Sequence, residues 1–310
     1  MNSKIKLISD NISKVIIGKD NTIRKVLNAL ICGGHVLIED VPGVGKTQLV
    51  SALARSVDGK FNRIQMTPDI MPSDIVGFSM LNRSTDSFEY HEGAVMCNFL
   101  LADEINRASP KSQSSLLEVM EEFQVTIDGE TRKLPRIFMV LATQNPVETY
   151  GTYHLPEAQM DRFFMKISMG YPDFSEEIKI LEQNENSKRD NTVKPVVCLD
   201  DISELRCEAE NVFVSDKIKK YIVDITGSTR NNDCITLGAS PRGSISLYKA
   251  AKAEAFICGR KFVTPDDVKY CVPPVLSHRI ILSPKGRTQY KNNTQQALED
   301  ILRTIDVPAE

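Results

Sequence analysis

Apolar residues at Ile23, Val26, Leu27 and Leu30 recur at the i, i+3, i+4, i+7 spacing of one helix face, and Gly33-Gly34 end it. The short run His35 to Glu39 then reads as a buried strand. A turn over Gly43–Thr47 follows, and Leu49, Ala52, Leu53 and Val57 mark the next helix face. Further strands are predicted at 61–66, 97–103 and 136–143. The last two are nearly all apolar, as a parallel strand covered on both faces must be. Ser109-Pro110 supplies a cap and first position for a helix to about Glu122. Gln124 to Leu134 alternates around Asp128-Gly129, which predicts a hairpin. Residues 77–95 mix polar and aromatic positions and read as an insertion with strand character.

After Tyr171-Pro172 the strand signals largely stop. Asp173 with Glu176 forms a capping box, and Gln183–Asn191 reads as a polar loop. Three helix faces follow. They are Ile202, Leu205, Ala209 and Val212; then Ile218, Tyr221, Ile222 and Ile225 capped by Ser215; then Ile245, Tyr248, Ala251, Ala255 and Cys258 closed by Gly259. Thr264-Pro-Asp-Asp267 opens a fourth helix. The expected architecture is α/β over residues 1–172 and a smaller helical domain over 173–310. A length of 310 residues agrees with about two domains.

Composition changes this picture only by exclusion. A net charge of −3 gives no bulk attraction to nucleic acid or anionic lipid. The seven cysteines are scattered without CxxC pairing, which argues against a disulfide framework or a zinc site and suits a reducing interior. The four histidines show no metal-binding spacing. Residues 1–19 lack a continuous apolar stretch and no run of ~20 apolar residues occurs, so a cytoplasmic chain without membrane insertion is expected.

Candidate chemistry begins at Gly43-Val-Gly45-Lys46-Thr47. Glycines there let backbone N–H groups turn onto phosphates, and the following helix presents its positive end. Lys46 would reach the β- and γ-phosphates, and the Thr47 hydroxyl would ligate Mg²⁺. GxxxxGK[ST] has glycine where Asp40 stands, so Asp40 is expected to carry backbone strain. An inert glycine-rich turn is the alternative. The apolar run to Asp103-Glu104 places Asp103 near that Mg²⁺ and Glu104 where it can activate water. Taken alone, a strand ending in solvated acids reads equally well. Asn145 either holds the attacking water or only forms the turn before Pro146. Arg162 either serves a nucleotide on a neighbouring subunit or pairs locally with Asp161 or Glu157. Arg242, in the first turn of a helix, opposes the helix dipole unless a phosphate reaches it. The alternative is an exposed arginine.

Together these residues resemble the MoxR family of AAA+ ATPases. The resemblance rests on Val41-Pro42-Gly43-Val44-Gly45-Lys46-Thr47, Thr67-Pro-Asp-Ile-Met-Pro-Ser-Asp74, Asp103-Glu-Ile-Asn-Arg-Ala108, Ala142-Thr-Gln-Asn-Pro146, Gly151 to Phe163 and Gly238-Ala-Ser-Pro-Arg-Gly243. It implies a P-loop parallel-sheet core with a helix-2 insert at 77–95, and a helical lid. By the same resemblance Pro42 to Gln48 hold ATP, Thr47 and Asp103 hold Mg²⁺, and Ile16, Ile17 and Gly18 flank the adenine. Glu104 and Asn145 resemble the catalytic acid and sensor 1, Arg162 the arginine finger, and Arg242 sensor 2. A homo-hexamer acting on a von Willebrand A-domain protein or other protein client is further implied. A nucleic-acid motor and a chelatase-like metal-inserting subunit remain alternatives, as does a nucleotide-gated scaffold with little turnover. The acidic hairpin tip at Asp128 argues against nucleic acid, while Arg132 and Lys133 keep it open. No NKxD-type motif for guanine occurs.

Overall fold

The computed structural model describes the backbone of residues 1–146, 151–186 and 193–308, and the side chains of all of these except 183–186. Five parallel strands form the central sheet in the order Phe61–Gln65, Phe99–Asp103, Met139–Gln144, Val36–Glu39, Met165–Ile167. Side chains alternate between faces, so each apolar strand feeds two cores. Val36, Ile38, Phe99 and Leu101 pack under the helices Ser3–Ser13, Asp20–Ile31 and Lys46–Ser56. Leu37, Leu100 and Val140 pack under Pro110–Glu122 through Leu116 and Met120. This two-sided burial is why the predicted strands lack alternation.

Local signals place most elements where the sequence puts them. Ser109 caps Pro110–Glu122 by accepting the Ser112 N–H at 3.3 Å. Asp128 and Gly129 both take positive φ between the strands Gln124–Ile127 and Glu130–Lys133. The insertion is an antiparallel hairpin, Gly77–Asn82 with Ser87–Glu92. Asp173 and Glu176 form their reciprocal cap at the head of Phe174–Asn186.

Three readings change. The expected loop Gln183–Asn191 is helical through Asn186, because the capped helix simply continues; its remaining residues lie outside those described. The helix Pro241–Ile257 buries Leu247, Ala250, Ala251 and Glu254, whereas Ile245 is 56% exposed. Small alanines let neighbours approach on several sides, so its inward face was mis-phased. Met165–Ile167 is too short to carry a signal, whereas the first helix, Ser3–Ser13, was missed although Ile5, Ile8 and Ile12 share one face behind an Asn2 cap. Among the described residues beyond 173 the elements are helices apart from one short antiparallel pair, Ile235–Leu237 with Ile281–Leu282, and an isolated bridge between Phe213 and Phe262.

One hydrophobic cluster runs unbroken from the sheet into these helices, joining Ile23 and Val36 to Leu205, Ile218, Leu247 and Val268. Polar contacts reinforce it. Buried Arg279 donates to Asp161 Oδ1 at 2.6 Å and to the carbonyls of Phe163 and Phe164 at 2.7 and 3.1 Å. Ser240 Oγ reaches Asp161 Oδ2 at 3.3 Å. Asp161 thereby joins the helical part to the edge of the sheet.

His35 opens the Val36–Glu39 strand and is buried. Its Nδ1 accepts the Val140 N–H at 3.0 Å, so its Nε2 donates to the Met120 carbonyl at 2.9 Å and the ring is neutral. Burial holds its pKa down to about 4, and burial holds that of His278 well below the usual range. A pKa depressed on folding means the unfolded chain takes up the proton first. This stabilisation is whole above about pH 6.5 and is lost as pH falls toward 4. Lowering the pH from 7 to 5 is expected to remove about 2 kcal/mol through His35, in a window above ordinary carboxylate titration. Urea unfolding midpoints that stay flat across that window would overturn the assignment.

Candidate functional site

The C-terminal ends of three neighbouring strands converge on one loop. Gly43 and Gly45 have φ of 86° and 90°, a conformation open to glycine at no steric cost, and nothing stands within 4 Å of where a Gly43 Cβ would be. Gly45 is also the cap of Lys46–Ser56, and no side chain caps that helix. Its first N–H groups are therefore left without a side-chain acceptor, the arrangement that binds an anion. Lys46 opens the helix, with Nζ donating to the Asp40 carbonyl at 2.9 Å. Burial lowers its pKa while Asp40, Asp103 and Glu104 oppose that shift. Ile16 is buried and its Cδ1 lies 3.9 Å from a Cβ built on Gly45, which brings the Ile16-Ile17-Gly18 segment against the loop.

Asp40 does not carry the expected strain, since it is absent from the positive-φ residues. Its carboxylate is a bracket instead. Oδ2 accepts from Ser168 Oγ at 3.0 Å, Met169 N at 2.5 Å and Gly170 N at 2.8 Å, and Oδ1 accepts from Val41 N at 3.1 Å. Glycine at this position would leave those donors unpaired. Strain sits at Glu104, in the left-handed region at φ 57° and ψ 52°. A non-glycine residue is held there only by its surroundings. Its N–H donates to Thr143 Oγ1 at 2.8 Å, and Thr143 donates onward to Asp103 Oδ1 at 3.1 Å. Thr143 therefore fixes both acids from the next strand. Asp103 Oδ2 accepts from Arg63 Nε at 2.7 Å. The Glu104 carboxylate accepts from Gln65 Nε2 at 2.9 Å and from Arg107 at 3.0 Å. Sequence reasoning missed Thr143, Arg63 and Gln65. The signal was available: Arg63 and Gln65 lie two apart on one strand and so share a face.

The donor set suits a magnesium nucleotide. Thr47 is the second residue of the uncapped helix and Asp103 ends an apolar strand one removed from Val36–Glu39 in the sheet, and a hydroxyl with a carboxylate makes the hard oxygen pair that Mg²⁺ takes. Asn145 is buried just beyond the Met139–Gln144 strand.

Two predicted residues lie elsewhere. Arg162 and Arg242 both pair with Glu121, at 3.1 and 2.7 Å, and not with Asp161 or Glu157. They line a cleft of about 290 Å³ together with Gly34 and His35. Those residues precede the Val36–Glu39 strand, whereas the loop follows it. Four residues of strand at about 3.3 Å each separate the two ends by roughly 13 Å. Arg242 is therefore grouped with Arg162, away from the loop of its own chain.

The chain is similar to known proteins over nearly its whole length. Residues 35–165 match the ATPase family associated with various cellular activities (AAA), and residues 227–301 match the AAA lid domain. It is 48% identical to the uncharacterized protein YeaC of Bacillus subtilis over 97% of this chain and 94% of that one. It is 40% identical to chaperone MoxR1 of Mycobacterium tuberculosis over 96% of this chain and 80% of that one. A crystal structure of a candidate ATPase from Cytophaga hutchinsonii superposes with a TM-score of 0.91 at 41% identity, covering 99% of this chain and 95% of that one.

Lys46→Ala is expected to abolish nucleotide binding while leaving the fold intact. Titration with a fluorescent ATP analogue checks this, and unchanged affinity would refute the loop assignment.

Proposed function

The chain belongs to the MoxR family of AAA+ ATPases, and from that premise we propose that it hydrolyses Mg-ATP at the loop around Lys46, completed by a second copy. The observation that carries this reading is the relay Asp103–Thr143–Glu104 beside an uncapped helix. We take residues 1–172 as the nucleotide-binding core and 173–310 as the lid.

Lys46 and the loop N–H groups hold the β- and γ-phosphates. Mg²⁺, held by Thr47 and Asp103, would neutralise charge on the phosphate oxygens. Ile16, Ile17 and Gly18 flank the adenine. Glu104 takes a proton from water as the water oxygen bonds to the γ-phosphorus. The bond from that phosphorus to its bridging oxygen breaks, leaving ADP and phosphate. Asn145 orients the water. Gln65 and Arg107 hold the Glu104 carboxylate in place, so its release or reorientation is a point at which turnover can be timed.

Arg162 and Arg242 sit at the far end of the sheet, so neither serves the loop of its own chain. A head-to-tail contact delivers both to the next copy, where they stabilise charge on the departing phosphate. Such heterologous contacts close into a ring when the rotation between copies closes, and the family resemblance supports a hexamer. The similarity to chaperone MoxR1 supports a chaperone-like role, in which the cycle remodels a protein partner, such as a von Willebrand A-domain protein. The nucleic-acid alternative loses ground at the hairpin, since Arg132 stacks on the Tyr90 ring at 4.3 Å and pairs with Glu130. Among the described residues no helix is long and apolar enough to cross a membrane.

Glu104→Gln is expected to bind ATP but turn over at least about 100-fold more slowly. Steady-state phosphate release measures this, and a smaller loss would remove Glu104 from the chemistry. Its ATP-bound form should also retain a protein client on purification. Arg162→Ala and Arg242→Ala are each expected to lower turnover with little loss of ATP affinity. Mixing either with Lys46→Ala subunits should restore part of the activity, because one copy then supplies the loop and the other the arginines. No rescue would return both arginines to a purely local role.

A further inference from the structure

The helix Phe174–Asn186 carries Phe174, Ile178 and Leu181 at i, i+4 and i+7, and these side chains are 82%, 43% and 62% exposed. At 100° per residue they form one narrow stripe, with Glu177 and Glu182 on its two flanks. The opposite side is the anchored one. There Glu176 pairs with Lys19 Nζ at 3.5 Å, and its side chain fills the space beside Gly18. The helix is thus fastened next to the adenine-flanking segment, with its apolar stripe facing away from the protein.

A complementary surface lies at the other end of the subunit. The helices Asp20–Ile31, Leu199–Glu210, Asp216–Arg230 and Pro241–Ile257 border a cleft of about 610 Å³. Its floor includes Val223 and Ile245, 57% and 56% exposed, beside Tyr248. Its lining is basic, with Arg206, Lys219, Lys249 and Lys252 against the acid Glu210; Lys219 also pairs with Asp216 at 2.9 Å and Lys252 donates to the Glu210 carbonyl. Arg206 Nε donates to the Leu30 carbonyl at 3.0 Å and its second terminal nitrogen is buried, so this guanidinium adds charge beside the cleft rather than a contact in it. An apolar floor with a basic rim fits an apolar stripe flanked by acids.

Position makes the match specific. The stripe stands at the nucleotide end. The cleft borders the Arg162 and Arg242 end, since Cys32, Ile245 and Lys249 line both clefts. A head-to-tail contact brings these two ends together. We propose that the helix Phe174–Asn186 of one copy docks, stripe inward, into the lid cleft of the next copy, with its acids meeting the basic rim. This rests on the ring reading above. Because Glu176 fastens the same helix to Gly18, the contact links the nucleotide end of one subunit to the lid of its neighbour.

Sedimentation velocity in ATP, with Glu104→Gln as parent, tests the contact. Glu177→Lys with Glu182→Lys, or Lys249→Glu with Lys252→Glu, should each raise the concentration needed for assembly at least about tenfold. All four substitutions in one chain should restore most of it, because every interface then carries the swapped charges. Leu181→Ser should weaken assembly similarly without changing charge. ATP affinity and the thermal midpoint should stay at parental values, which separates the contact from a folding defect. Assembly unaffected by these variants, or weakened without rescue by the swap, overturns the docking and leaves the ring reading standing. A parent that stays monomeric in ATP, with no rescue between Arg162→Ala and Lys46→Ala subunits, overturns both.

Discussion

The ion pair between Asp161 and buried Arg279 sets the position of much that matters here. A guanidinium shut away from water must find partners for its donors, and this one takes Asp161 together with the Phe163 and Phe164 carbonyls. Those partners lie in the turn that carries Arg162 and leads into the edge strand Met165–Ile167. Ser240, just ahead of Arg242, binds the same carboxylate. One residue therefore holds the lid against the sheet and brings two arginines from distant sequence onto the single carboxylate of Glu121. The unbroken hydrophobic cluster makes this a packed arrangement rather than a loose hinge.

The opposite end of the sheet uses a different economy. Its loop is left unfinished: an uncapped helix, glycines in left-handed conformation, and a lysine partly stripped of water among carboxylates. Its neighbours are over-determined instead. Asp40 spends its carboxylate on the chain after the edge strand, and Thr143 pins both acids of the neighbouring strand. A rigid frame around an unsatisfied centre suits a ligand that arrives with its own negative charge. On the proposed reading activation and completion are separate events: Glu104 is held within the subunit, whereas Arg162 and Arg242 stand at the other end of the same sheet.

Much of this was legible in the chain. Gly43 to Thr47 between a strand and a helix, the acids at 103 and 104, the cap at Ser109 and the Asp128-Gly129 turn are short-range signals. Each follows from the backbone demands of a few consecutive residues. The readings that changed were of another kind. The alanine-rich helix Pro241–Ile257 is packed on several sides, so periodicity gave the wrong inward face. Met165–Ile167 is three residues long and is a strand only because Val36–Glu39 lies beside it.

By itself, the sequence determined the kind of chemistry available: a phosphate loop, paired acids, and arginines in telling local contexts, all set by residue type and spacing. Only the tertiary structure decided where those charges act. Asp40 turned from a suspected strain point into a bracket because its partners lie about 130 residues further on, at Met169 and Gly170. Arg162 and Arg242 are 80 residues apart in the chain yet share Glu121, in a cleft at the other end of the strand from the loop of their own chain. Spacing along a chain carries local backbone geometry. The side of a sheet on which a distant charge ends up is fixed only when the whole core has packed.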